Sequence, residues 1–141
     1  MTNPKISIVI PTAECEGKKF LPRCLNSIKS QNYANYEVIV IEEGKVAHNM
    51  NCGIKKATGD NTIGGLSVLS FENKDPLLFT EGLDWMVDVD FYKRAFLRYG
   101  LPRFLVTENV VIGYGSHQTS FKLTQEQRTN EMNLMLQTYG E

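Results

Sequence analysis

The sequence predicts an α/β fold whose sheet is largely parallel in its amino-terminal half and flanked by helices. Three observations carry this expectation. Ile6 to Ile10 and Tyr36 to Ile41 are β-branched runs of strand length, too uniformly apolar for a half-exposed strand and suited to a sheet buried on both faces. Each is followed by apolar residues at helical spacing. The resulting order β-α-β-α over residues 1–60 is that of a right-handed parallel unit.

The elements follow in order. Pro11 ends the first strand, and Thr12 to Lys18 is a polar loop. Phe20, Leu21, Cys24, Leu25 and Ile28 then share one helical face. The second strand, "YEVIVI", stops at Glu42-Glu43-Gly44. Met50, Ile54 and Ala57 mark a helix over residues 46–57, ended by Gly59. Beyond it, "GDNTIGG" reads as an abrupt glycine-rich loop running into a short strand, Leu66 to Phe71. Trp85, Val89, Tyr92, Phe96 and Tyr99 trace a helical stripe closed by Gly100 and Pro102. Phe104 to Val106 and Val110 to Ile112 suit short strands, and Gly113 to Thr119 is a polar loop. Thr124-x-x-Gln127 is a capping box opening a last helix with Met132, Met135, Leu136 and Tyr139 on one face.

Composition bounds the function. With 141 residues, 42% hydrophobic and 22% charged, the chain is sized and balanced for one soluble domain with a real core. A net charge of −1 offers no electrostatic footprint for nucleic acid or an acidic membrane surface. The first apolar run is too short for a signal-peptide core or a transmembrane segment, so a cytoplasmic location is expected. Cys15, Cys24 and Cys52 show no cysteine-pair metal spacing, and in a reducing compartment they are free thiols. His48 and His117 alone exclude a histidine-rich metal centre.

In a parallel sheet, ligands bind beyond the carboxyl ends of the strands. Two such ends are legible, Pro11-Thr12-Ala13-Glu14 and Glu42-Glu43-Gly44. The carboxylates there are either a solvated acidic turn or acceptors for a base or ribose. Asp84, Asp88 and Asp90 surround the start of the third helix, where they either cap it or supply a general base. Asp88 shares a face with Tyr92, whereas Asp88 and Asp90 point to nearly opposite sides and cannot serve one site from a regular helix. His48, beside Asn49 and Asn51, is a capping residue or a contact to ligand. His117, in "GYGSHQTS", is a surface residue or part of a ligand loop in which Gly113 and Gly115 permit close backbone approach.

Taken together, "ISIVIPTAECEGKKFLPRCLNSIKSQNYANYEVIVIEEG" and "NCGIKKATGD" resemble the amino-terminal half of family 2 glycosyltransferases, which have the Rossmann-like GT-A fold. The segment from "IGGLSVLSF" through "GLDWMVDVDFYKRAFLRYGLP" to "GYGSHQTS" is similar to the acceptor-side half. The resemblance implies a single, compact, truncated domain 1–141, with a donor-side block 1–60 and an acceptor-side block 61–141. It implies a nucleotide-diphosphate-sugar donor, a divalent metal (Mn or Mg), and inverting transfer to a saccharide or other hydroxyl acceptor. Carried over by position, Pro11, Thr12, Glu14, Glu42, Glu43 and Asn51 edge the donor pocket. Asp88 matches the base. Gly64, Gly65, Trp85, His117 and Gln118 fall on the acceptor side and the closing loop. Met50 stands where many members carry an arginine, with His48 nearby as a weaker, pH-dependent substitute.

One departure stands out. In the family, "ATGD" runs into an apolar strand ending in a DxD-type acidic cluster that holds the metal. Here Asp60 is followed at once by Asn61-Thr62-Ile63-Gly64, and Asp88-Val89-Asp90 lies within a predicted helix, so no metal ligands of that kind are assigned. Losing that countercharge predicts weak catalysis or none. The alternatives are a nucleotide- or sugar-binding module and a structural homodimer, in which bared strand edges pair between chains. Without the lost strand two arrangements are open: the strands ending at Ile41 and starting near Leu66 become neighbours in a smaller sheet, or the exposed edges pair between chains.

Overall fold

The structure is a computed structural model that describes residues 3–12, 17–64, 70–103 and 119–140. It divides into two compact units, Met1–Leu78 and Phe79–Glu141.

The first unit is a four-stranded sheet. Strands β1 (Ile6–Pro11) and β2 (Tyr36–Ile41) are joined through helix α1 (Gly17–Lys29), and helix α2 (Val46–Lys56) leads to β3 (Asn61–Gly64) and β4 (Ser70–Glu72). The strand order is β2-β1-β3-β4. β1 pairs in parallel with both β2 and β3, and β4 closes the sheet antiparallel to β3. The fold is therefore mixed α/β with the parallel amino-terminal half that the apolar runs predict.

The register is set at the amino ends of the strands. Asp60 donates its backbone N–H to the Lys5 carbonyl at 2.7 Å, and Lys5 N–H donates to Asp60 Oδ2 at 2.7 Å. Ile6 consequently faces Asn61. Two corrections follow. Asn61–Gly64, expected as part of a loop, is a strand, and of the strand expected at Leu66 to Phe71 the described residues Ser70 and Phe71 open β4 (Ser70–Glu72), while 66–69 lie outside the described residues. Among the described strands, the one ending at Ile41 is not a neighbour of β3 or β4, because β1 lies between them. The physical reason is the open edge of β1. Its N–H and C=O groups need partners, and the next extended segment to pass takes them despite its Asn and Gly.

Helix α2 covers β1 and β2. Ala47, Met50 and Ile54 are buried with Val9 and Ile41. The crossing is close at Gly53, where a β-carbon would lie 2.2 Å from Val9 Cγ1. Helix α1 presents half-buried Leu21, Leu25 and Ile28 on one side, whereas Phe20 and Cys24 are exposed.

The second unit holds helix α3 (Val87–Tyr99), the short α4 (Thr119–Lys122) and α5 (Gln125–Tyr139). Among its described residues, Phe79, Leu83, Val87 and Phe91 are the buried apolar ones, with Phe79 stacked on Phe91 at a centroid distance of 4.1 Å. Helix α3 ends as predicted, with Gly100 at φ 78° donating its N–H to Phe96 O. Its buried face is not the predicted one. Val89, Tyr92, Phe96 and Tyr99 are exposed, and Trp85 precedes the helix. The helix turns instead on the charged residue Asp90, whose partners lie on the inner side. The capping box of α5 is present, Thr124 and Gln127 exchanging both hydrogen bonds. Along α5, Met135 and Tyr139 are half-buried, while Met132 and Leu136 are exposed. The predicted strands at Phe104 to Val106 and Val110 to Ile112 lie outside the described residues.

Candidate functional site

The carboxyl edge of the parallel strands in the first unit gathers several of the predicted donor residues. Pro11 pairs with Ile41 at the end of the β1–β2 ladder. Thr12 continues it, donating its N–H to Ile41 O at 2.9 Å and its hydroxyl to the same oxygen at 3.2 Å. Gly64 ends β3 beside Val9, so all three parallel strands finish on this edge.

The organiser of the edge is Asn49, a residue that sequence reasoning treated only as a neighbour of a capping histidine. It is fully buried. Its amide donates to Thr12 O at 3.1 Å and to Gly44 O at 2.9 Å, and its Oδ1 accepts Glu43 N–H at 3.1 Å. One side chain thus ties the loops after β1 and β2 to the first turn of α2. A signal for polar burial in this helix was present. Asn51, with Ala47, Met50 and Ile54, falls on the buried helical stripe, and a polar residue on such a stripe has a partner to satisfy.

Glu42 and Glu43 point into different surroundings. Lys18 Nζ sits 2.9 Å from Glu42 Oε2, and this hydrogen bond, against a small desolvation cost, holds the Glu42 carboxyl below the ordinary range. Glu43 has Lys56 Nζ at 3.5 Å. In the first turns of α2, His48 Nε2 lies 3.4 Å from Cys52 Sγ, and the donor atoms of Glu43, His48 and Cys52 all fall within 4.8 Å of one another.

A hard divalent metal held by an acidic cluster at the end of the third parallel strand does not fit these residues. β3 ends at Gly64, and residues 61–69, Asn-Thr-Ile-Gly-Gly-Leu-Ser-Val-Leu, contain no carboxylate. The "TGD" that precedes them acts at the opposite edge of the sheet. Thr58 N–H and Ser7 Oγ both donate to Glu37 Oε1, at 2.7 and 2.6 Å, and Lys5 Nζ reaches Oε2 at 3.0 Å. Ser7, Thr58 and Lys5, in that order, hold the Glu37 carboxyl at about 2.

In the second unit, Glu131 of α5 accepts the N–H groups of Asp84, Trp85 and Met86 at 2.8, 2.9 and 2.8 Å. Trp85 lies under the Arg128 guanidinium, 5.8 Å from the ring centre, and lines an open groove of about 230 Å³ with Gln125, Arg128, Thr129, Met132 and Asn133. Asp88 is half-buried at the start of α3, where its Oδ1 accepts Val89 N–H at 2.9 Å. Asp90 is engaged by Arg94 at 2.6 Å, Thr80 Oγ1 at 2.7 Å and Tyr139 Oη at 2.6 Å. Burial pushes its carboxyl up, but these partners outweigh burial and hold it below its ordinary value. The two aspartates therefore differ in role, Asp90 being bound into the fold. Glu14, Gly65, His117 and Gln118 lie outside the described residues.

No helix among the described residues is long and apolar enough to cross a membrane. No curated protein and no solved structure matches the chain. Residues 7–48 match the model of the family described as Glycosyl transferase family 2, a stretch running from β1 through α1 and β2 into the first turn of α2. That stretch contains Pro11, Thr12, Glu42, Glu43 and His48. Over this amino-terminal block, about a third of its length, the chain is similar to glycosyl transferase family 2.

Proposed function

We propose that the first unit binds a nucleotide-diphosphate-sugar at the carboxyl edge of β1, β2 and β3, and that the chain transfers the sugar with inversion to a saccharide or other hydroxyl acceptor. The observation that carries this reading is the Asn49 clamp, which fixes Thr12, Glu43 and Gly44 as one rigid rim at the strand ends, where ligands of parallel sheets bind. Glu42 and Glu43 supply the acceptors for base or ribose, and Asn51 supports the rim from α2. Asp88 is the proposed base for the acceptor hydroxyl. Trp85 offers a flat apolar face among polar groups, the chemistry that suits one side of a sugar ring.

A second reading is a nucleotide-sugar-binding module without transfer. It is favoured by one specific observation, the absence of any carboxylate from residues 61–69. Electrostatic stabilisation of the departing diphosphate commonly contributes more to such catalysis than any other effect, and that cluster is where it would come from.

The test is thermal unfolding of the whole chain with UDP- and GDP-sugars, with and without manganese, followed by an assay for transfer and donor hydrolysis. A donor at about a hundred times its Kd raises stability by about 2.7 kcal/mol. The rise is expected without manganese. Absence of any shift overturns both readings. A shift without turnover selects the binding module. With turnover, Asp88→Asn is expected to abolish the rate and keep the shift, and an unchanged rate removes Asp88 from the base role.

A further inference from the structure

We propose that Glu43, His48 and Cys52 form a binding site for a zinc-class divalent cation at the carboxyl end of β2. His48 and Cys52 are four residues apart on α2, so their side chains rise from one helix face, one turn above the other. Glu43 reaches them from the loop before the helix. Three different donors thus converge, an imidazole nitrogen, a thiol sulfur and a carboxylate oxygen, all within 4.8 Å of one another.

The distances suit a metal. Zinc bonds of about 2.3 Å to sulfur and 2.0 Å to nitrogen, at a tetrahedral angle, place those two atoms about 3.5 Å apart. Here Cys52 Sγ and His48 Nε2 are 3.4 Å apart. An S–H···N hydrogen bond accounts for that pair alone, but not for a carboxylate brought to the same point. Two features prepare the site. The Asn49 side chain holds Glu43 by its backbone N–H. Gly44 leaves room for the imidazole, since a β-carbon there would stand 3.3 Å from His48 Cδ2.

The Lys56 ammonium competes for Glu43. Lys56 Nζ lies 3.5 Å from Glu43 Oε1, with both side chains more than half exposed. Exposed pairs of this kind contribute little, and a cation bonded to the carboxylate displaces the ammonium. The donor set also sets the selectivity. Thiolate and imidazole favour zinc, cobalt or nickel over magnesium and manganese. Three protein ligands leave a fourth position for water or another donor. The site does not depend on the donor reading and stands whether or not a nucleotide-sugar binds.

The experiment is a cobalt titration of the chelator-treated, reduced full chain, followed by the sulfur-to-cobalt charge-transfer band and by circular dichroism. One equivalent of cobalt is expected to raise the band, zinc to remove it, and magnesium at about a hundredfold excess to leave it. Removing a ligand costs more than the roughly 10–100-fold typical of an outer-shell partner, so His48→Gln is expected to weaken binding by about a hundredfold or more. Cys52→Ser is expected to remove the band, and Glu43→Gln, which takes away the carboxylate ligand, to weaken binding by about a hundredfold or more. A double Cys15→Ser, Cys24→Ser variant keeps the band in full. Absence of a band in the parent chain overturns the proposal, as does a band that survives Cys52→Ser or disappears with the double variant. Should Cys52→Ser not fold, the His48→Gln and double-variant results decide on their own.

Discussion

Asp60 and Lys5 hold each other by two hydrogen bonds of 2.7 Å, backbone to backbone in one direction and backbone to carboxylate in the other. This pair docks the segment after α2 onto the free edge of β1. It turns an abrupt run of Asn, Thr, Ile and Gly into the third parallel strand of the sheet.

Gly59 stands next to that pair, and a β-carbon on it would meet Lys5 O, Ser7 N and Ser7 Oγ, each at 2.7 Å. Two of these atoms are backbone and cannot step aside. Gly59→Ala is expected to lose about 3 kcal/mol, the upper part of the usual range for overpacking. Gly82, with nothing within 4 Å of its would-be β-carbon, is the control, and Gly82→Ala is expected to be neutral or slightly stabilising. Urea unfolding of both variants checks the contrast.

Glu37 predicts a pH dependence. Its carboxyl falls from the ordinary 4.5 to about 2, chiefly through Ser7, then Thr58 and Lys5. A carboxyl depressed in the folded state adds stability that is present above its unfolded value and is lost as pH falls through the folded one. The loss therefore lies between about pH 4.5 and 2. Glu37→Gln is expected to be less stable than the parent at pH 7 by about 1 kcal/mol, after allowance for solvent screening at a side chain one-quarter exposed. The difference should vanish toward pH 2. Urea midpoints measured across this range provide the check.

Asn49→Ala leaves the carbonyls of Thr12 and Gly44 and the N–H of Glu43 without this partner, the first in a buried contact and the other two in part-buried ones. The expected cost is about 2–3 kcal/mol, set by desolvated groups left unpaired rather than by lost contact area. The loop around exposed Lys45 should also loosen, giving faster tryptic cleavage there under native conditions. Cleavage unchanged from the parent would remove Asn49 from its clamp role.

Asp90 organises the second unit as Asn49 does the first. Asp90→Asn leaves the Arg94 guanidinium facing a neutral amide and is expected to cost about 3 kcal/mol, the lower end for breaking a buried ion pair. The single tryptophan, Trp85, belongs to this unit, and its fluorescence during denaturation reports the change. Because the Asp90 carboxyl is held below its ordinary 3.8, its contribution is present above that value and disappears only in stronger acid. Asp88→Asn, at an exposed backbone contact, should be near neutral in the same measurement.

By itself the sequence determined the order and type of the strong elements. The β-branched runs around Val9 and Val38, the stripe of Met50 and Ile54, the Gly100 stop and the Thr124–Gln127 box are local signals, each read within a few residues of itself, and each is found where it was read. Tertiary structure alone decided three things. It made Asn61–Gly64 a strand, because the unpaired edge of β1 outweighed a weak local preference. It turned α3 onto Asp90, because a carboxylate with three partners is satisfied inside and the aromatic stripe carries no such demand. It placed a buried asparagine, not a carboxylate, at the centre of the candidate site, because the carbonyls of Thr12 and Gly44 after β1 and β2 call for a donor, and the Asn49 amide on α2 supplies it. Such long-range satisfaction has no signature in neighbouring residues, which is why a single sequence shows the strands and helices but not the hydrogen bonds that lock them together.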